Sequence, residues 1–196
     1  LGIIAYGVGK HQQSLELIHK AIRIFPHNPT YYNNLGTIYK SLNRLDDAER
    51  AYRKAIEIKS DFSEPIYNLG NVLKAKHRME DAFACYHKAV QIKPDYADAY
   101  NNLGLAYGKL NQLQEEIEAY KQAVKIKPDY AEAYYNLGAS YSNLERYLEA
   151  IKAFEQAIRL KPEDSWSHFG LGLAYIKIAD KAGAIKQYNI LKPLDP

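Results

Sequence analysis

One cysteine, one methionine, one tryptophan and a net charge of only +3 are spread over 196 residues, and no apolar run reaches 18 residues. Cys85 has no second cysteine with which to form a disulfide or share a metal ion, which points to a reducing compartment and slightly favours the cytoplasm. The six histidines share no ligand spacing, so no metal site and no cofactor are expected. With 26 basic and 23 acidic residues evenly interspersed there is no basic stripe, and nucleic-acid binding is not expected. Without a long apolar run, membrane insertion is not expected either.

Local motifs are also missing. Gly7-Val8-Gly9-Lys10 resembles part of a phosphate-binding loop, but the first glycine of that motif would fall on Ile4, and His11 stands where Ser or Thr is required. Asn28-Pro29-Thr30 fails as a glycosylation acceptor because proline occupies its centre. No catalytic residue is identified, so the chain by itself is not expected to be an enzyme. It opens at Leu1 without methionine, which leaves localisation weakly constrained.

What the chain has is repetition. Leu-Gly pairs fall at 1, 35, 69, 103, 137 and 171, always 34 residues apart, and Tyr-Asn-Asn-Leu-Gly at 100–104 returns as Tyr-Tyr-Asn-Leu-Gly at 134–138. A fixed period of this size signals a stack of like modules in which each packs on its neighbours. The expectation is one array over 1–196, with no domain boundary inside it. Its units are 29–62, 63–96, 97–130, 131–164 and 165–196, preceded by a truncated unit at 1–28. Most of the 18 tyrosines keep fixed places in the repeat and are expected to be packing residues.

Each unit splits into two helical patterns. In 97–130, Tyr100, Leu103, Tyr107 and Leu110 recur at three- and four-residue spacing; after a turn at Asn111-Gln112 come Leu113, Ile117, Tyr120 and Val124. Pro26, Pro94, Pro128, Pro162 and Pro196 share one place and stop the second helix, and Asp61, Asp95 and Asp129 beside it can favour the start of the next. Gly36, Gly70, Gly104, Gly138 and Gly172 fall in mid-helix, where glycine costs about 1 kcal/mol relative to alanine. Close approach of the partner helix is the expected compensation, with the alanines at 48, 82, 150 and 184 and at 55, 89, 123 and 157 as the other small residues there. Glu116 occupies this small-residue place in its unit and is expected to reach solvent through a slight helix shift.

The sequence of landmarks Tyr134, Leu137, Gly138, Tyr141, Ala150, Phe154, Ala157 and Pro162 resembles the tetratricopeptide repeat, and the match recurs in register along essentially the whole chain. Departures are Ile66 and His168 for the first aromatic, Leu73 for the tyrosine, Ser60 for the proline and Leu191 for the last alanine. The resemblance implies an all-α, α-α superhelix, a solenoid of antiparallel helix pairs whose first helices line a concave groove. Its usual role is protein–protein interaction through an extended peptide or protein segment.

In such a groove the second, fifth, sixth, ninth, twelfth and thirteenth places of each unit face inward. The sixth place reads Asn34, Asn68, Asn102 and Asn136, then Gly170. Asparagine is a poor mid-helix residue, so four in register call for a reason. One is a hydrogen bond to the neighbouring helix; the other is an amide ladder for a peptide main chain. The fifth place supplies Asn33, Tyr67, Asn101, Tyr135 and Phe169, and Trp166 stands at the second place of the last unit, either a groove residue or packing for a following helix. Lys40, Lys74, Lys109 and Lys177 lie toward the helix ends, opposite Glu64, Asp98 and Glu132 at the starts, an order that the helix dipole favours. Lys40 and Lys74 are the two retained as candidate peptide contacts. No arginine falls in the groove, so capture of a partner's C-terminal carboxylate is not expected.

The asparagine ladder, with phrases such as Asn68-Leu69-Gly70-Asn71-Val72-Leu73-Lys74 and Leu1-Gly2-Ile3-Ile4-Ala5, resembles the repeat arm of O-linked N-acetylglucosamine transferases. That resemblance implies a non-catalytic, substrate-selecting arm of a larger enzyme. Apolar surface at uncapped ends of the stack makes self-association the remaining alternative.

Overall fold

A computed structural model describes residues 11–192. The described residues form eleven α-helices and no strand: α1 (His11–Ile24), α2 (Pro29–Ser41), α3 (Leu45–Ile58), α4 (Ser63–Ala75) and α5 (Met79–Ile92), then α6 (Ala97–Lys109), α7 (Leu113–Ile126), α8 (Ala131–Asn143), α9 (Tyr147–Leu160), α10 (Ser165–Lys177) and α11 (Lys181–Leu191). They fall into two compact units, divided between Asp95 and Tyr96. The opening Leu1-Gly2-Ile3-Ile4-Ala5, the Gly7–Lys10 segment and Pro196 lie outside the described residues.

Within each unit the helices pair as first and second members of a hairpin, each pair closed by one sharp turn. Asn43, His77, Asn111, Glu145 and Ala179 recur every 34 residues with φ near +60°. The left-handed residue turns the chain, and the N–H of the residue directly after it reaches back five residues, as from Arg44 to Tyr39 and from Arg146 to Tyr141, both at 2.9 Å. Asparagine tolerates this conformation; glutamate and alanine carry a Cβ penalty there. The second helices stop at Ile24, Ile92, Ile126 and Leu160, just before the expected prolines. Asp61, Asp95 and Asp129 are exposed in the turn, one residue ahead of the N-caps Phe62, Tyr96 and Tyr130, which make no side-chain cap. Side-chain capping falls instead to Asn28, Asp164 and Asp180.

The mid-helix glycines are explained by aromatic rings. A Cβ on Gly36, Gly70 or Gly104 would lie 2.6 Å from the ring of Tyr52, Tyr86 or Tyr120, and one on Gly138 would lie 2.8 Å from Phe154. The buried alanines stand three or four residues from that ring on the same second helix, and the ring, not an alanine, is what meets the glycine. Tyr52, Tyr86 and Tyr120 are fully buried, and each contributes about 4 kcal/mol of transfer free energy as an upper estimate.

The last pair departs from this rule. By the 34-residue register Tyr188 corresponds to Phe154, yet Tyr188 is exposed and Gln187 is buried instead, its Cβ 3.3 Å from where Gly172 would carry one. Gln187 Oε1 lies 2.7 Å from Nδ1 of the buried His168, whose Nε2 lies 2.9 Å from the Pro162 carbonyl oxygen. His168 is a departure from the repeat's aromatic, and the histidine and glutamine satisfy each other inside the pair.

Candidate first-helix binding face

The fifth and sixth places of neighbouring first helices meet side by side. In the first unit the Asn33 amide donates to Glu64 Oε1 at 3.0 Å, and Asn68 Nδ2 donates to Asn33 Oδ1 at 3.2 Å. In the second unit the same corner recurs: Asn101 donates to Glu132 at 3.3 Å and receives Asn136 at 3.1 Å. Asn33 and Asn101 are 2% and 1% exposed, so their amides are spent inside the stack. Asn68 and Asn136 are only half-buried, and each commits one amide hydrogen of two, which leaves the second hydrogen and the carbonyl oxygen. Asn34 is half-buried and Asn102 is buried.

Where the fifth place is tyrosine a different contact forms. The Tyr67 ring centroid lies 5.9 Å from that of Tyr86, and Tyr135 lies 6.0 Å from Phe154, both tilted. The fifth place thus alternates between an amide that ties two first helices and an aromatic that seats on the second helix. Both tyrosines remain half-buried, so part of each ring stays on the face. Lys40 is exposed and Lys74 half-buried. The partner of each fifth-place asparagine was readable in the sequence as an acid 31 residues on, from Asn33 to Glu64 and from Asn101 to Glu132.

The face turns apolar on α10. Trp166 is 66% exposed, and Phe169, Leu173 and Ile176 share its side of the helix at the second, fifth, ninth and twelfth places. Beneath Trp166 lies a cavity of about 210 Å³, walled by Glu132 and Tyr135 of α8, Lys161 at the end of α9, and Asp164 and Ser167 at the start of α10. Asp164 is occupied there: it accepts from the Ser167 N–H at 2.9 Å and hydroxyl at 2.6 Å, and Lys161 stands 3.7 Å away.

Among the described residues two buried carboxylates lie on second helices. Glu116 does not reach solvent as expected. It is 9% exposed, its carboxyl stands 2.9 Å from where a Cβ on Gly108 would be, and Ser140 donates to it at 2.7 Å. Burial pushes its pKa up, only partly offset by the Ser140 bond. Gly108 and Ser140 are the compensation: other units carry Lys40 and Lys74, or Ile38, Val72 and Ala106, at those places. Glu49, which the repeat pattern does not single out, is equally buried but surrounded by cations. Burial alone would raise its carboxyl, but hydrogen bonds from Lys76 at 2.7 Å and Arg53 at 2.8 Å, with their charges, hold it at about 2. Cys85 is a packed residue whose thiol burial pushes up to about 11, far from a reactive thiolate. Among the described residues no group of three His, Cys, Asp or Glu could hold a metal, and no helix is long and apolar enough to cross a membrane.

Two family models, described as TPR repeat and tetratricopeptide repeat, match residues 70–111 and 109–145 and residues 29–62 and 131–164. No curated protein matches the chain. Among solved structures, the MamA protein is 28% identical over 84% of this chain and 90% of its own, with TM-score 0.77. YrrB, described as a TPR protein with an unusual peptide-binding site, is 24% identical over 93% and 94%, with TM-score 0.81. PilF of Pseudomonas aeruginosa is 19% identical over 100% and 89%, with TM-score 0.89, a likeness of fold that identifies the all-α helix-pair solenoid. With two matching repeat models spanning well over half of it, the chain belongs to the tetratricopeptide-repeat family.

Proposed function

We propose that the chain is a protein-interaction module that holds an extended peptide segment along its first helices. Asn34, Asn68, Asn102 and Asn136 pair with the peptide main chain, Tyr67, Tyr135 and Phe169 grip its side chains, and Lys40 and Lys74 border it. Asn33 and Asn101 serve from beneath, fixing the helix spacing on which the ladder depends. The observation that carries this reading is the uncommitted half of the half-buried Asn68 and Asn136 amides, each next in sequence to a half-buried tyrosine. The peptide-binding site described for YrrB supports it at the level of fold alone. Amide bonds worth about 0.5–1.5 kcal/mol each, plus aromatic contacts, suit micromolar affinity. The test is selection from a displayed library of random dodecapeptides, with the Asn34, Asn68, Asn102, Asn136→Ala variant as control. Peptides retained by the chain and lost by the variant, with helicity unchanged, support the reading; equal retention rejects it.

Two other settings stay compatible with this activity. The in-register asparagines support an arm that selects substrates for a larger glycosyltransferase; an antibody to this segment that detects only a 22.4 kDa product in the source cells would rule that out. The exposed Ile185, Tyr188 and Ile190 of α11 support self-association instead, which concentration-dependent light scattering would detect.

A further inference from the structure

We infer that the cavity beneath Trp166 is a specificity pocket for one cationic side chain, an arginine or lysine, of the bound peptide; the inference rests on the peptide-binding reading above. At about 210 Å³ the cavity is smaller than the roughly 300–1,000 Å³ of small-molecule and cofactor sites, and is of a size for a single side chain. Its walls are of two kinds. Trp166 offers a ring two-thirds exposed, and Tyr135 a second, half-buried one, each with a face that attracts a cation.

The charge comes from Glu132. Asp164 and Lys161 offset one another, and Asp164 is engaged at the start of α10, so the carboxylate left without a cationic partner is Glu132. Asn101 donates to that carboxylate at 3.3 Å and so anchors it, without cancelling its charge. A guanidinium or ammonium entering between Trp166 and Glu132 would meet a carboxylate and a π face at once, the arrangement that discriminates a cation from a neutral residue of equal size. A carboxylate side chain would meet Glu132 instead and be refused.

This pocket is peculiar to its repeat. At the second place the earlier units carry Thr30, Glu64, Asp98 and Glu132, and only the last carries tryptophan. Where the fifth place is Asn33, the acid 31 residues on is tied to it; where it is Tyr135, Trp166 stands there, and Glu132 of the same helix lines the resulting cavity.

The test uses random dodecapeptides displayed against the whole chain and against Glu132→Gln and Trp166→Ala. Gln keeps the acceptor that Asn101 needs and removes only the charge; Trp166 is exposed, so its loss leaves the core intact. The expected result is enrichment of Arg or Lys at one peptide position with the native chain. Synthetic versions of the recovered peptides should bind Glu132→Gln and Trp166→Ala about tenfold more weakly, and their Arg→citrulline or Lys→norleucine analogues should bind the native chain equally weakly. Trp166, the sole tryptophan, reports the titrations of the native chain and of Glu132→Gln through its own fluorescence, and isothermal calorimetry reads those of Trp166→Ala. Peptides recovered without basic enrichment, or binding both variants as well as the native chain, overturn the pocket but leave the groove standing. Recovery of no peptide overturns both.

Discussion

Glu49 in the first unit and Glu116 in the second both stand on second helices where other repeats carry small or apolar residues, and the two units accommodate them in opposite ways. The first unit brings cations to Glu49: Arg53 from its own helix, and Lys76 and Arg78 from the following turn. The second unit makes room around Glu116 with Gly108 and supplies a single hydroxyl from Ser140. One carboxyl is held ionised and the other pushed toward its neutral form. A repeat can therefore absorb a charged substitution through partners or through space, because its frame of glycine, ring and left-handed turn stays fixed.

That shared frame gives the largest expected effect. Gly36→Leu in the first unit and Gly104→Leu in the second should each cost about 3 kcal/mol in urea unfolding, since the new side chain meets a buried tyrosine ring. Gly172→Ala, against the Gln187 stem, should stay within about 0.5 kcal/mol of neutral because the gain in helix propensity offsets a 3.3 Å contact. A large loss at Gly172 would erase the distinction between the last pair and the rest.

The carboxylates separate by pH. Glu49 has a folded pKa of about 2 against 4.5 unfolded, so its contribution is present above about pH 4.5 and is lost as pH falls toward 2. Glu116 is raised, so its contribution is complete below pH 4.5 and is lost as pH rises through its higher folded value. At pH 7, Glu49→Gln should destabilise by about 2 kcal/mol, discounted for partners that face solvent. Glu116→Gln should stabilise by about 1 kcal/mol at pH 7 and by nothing near pH 3. Unfolding titrations at the two pH values that moved both variants in the same direction would break the contrast.

Where the units agree, so should their variants. Asn33→Ala and Asn101→Ala should each lose about 1.5 kcal/mol, as each removes a buried amide with two hydrogen bonds. The smallest effect is expected at the left-handed turns: Glu145→Gly and Ala179→Gly should raise stability by about 0.5 kcal/mol, while Asn43→Gly should not.

The period, the helix pairs, the proline stops and the mid-helix glycines could be read from the residues because each repeats in register and acts within one hairpin. The fate of Glu116 could not, since it depends on Gly108 and Ser140, each unremarkable until the three are brought together. The Glu49 cluster was hidden for the same reason, with Lys76 and Arg78 nearly thirty residues away. The fifth place depends on the neighbouring helix as well. The next first helix covers Asn33 and Asn101 and leaves the sixth-place amides of Asn68 and Asn136 half-buried.

That division between buried and half-buried amides is the centre of the account, and the most direct test is peptide affinity of the Asn68→Ala, Asn136→Ala double variant, read beside its thermal unfolding. The account predicts a loss of binding of tenfold or more, about 1.4 kcal/mol, with a melting temperature lowered by only a few degrees. Unchanged affinity, or a collapse of the fold with binding lost only through unfolding, would contradict it.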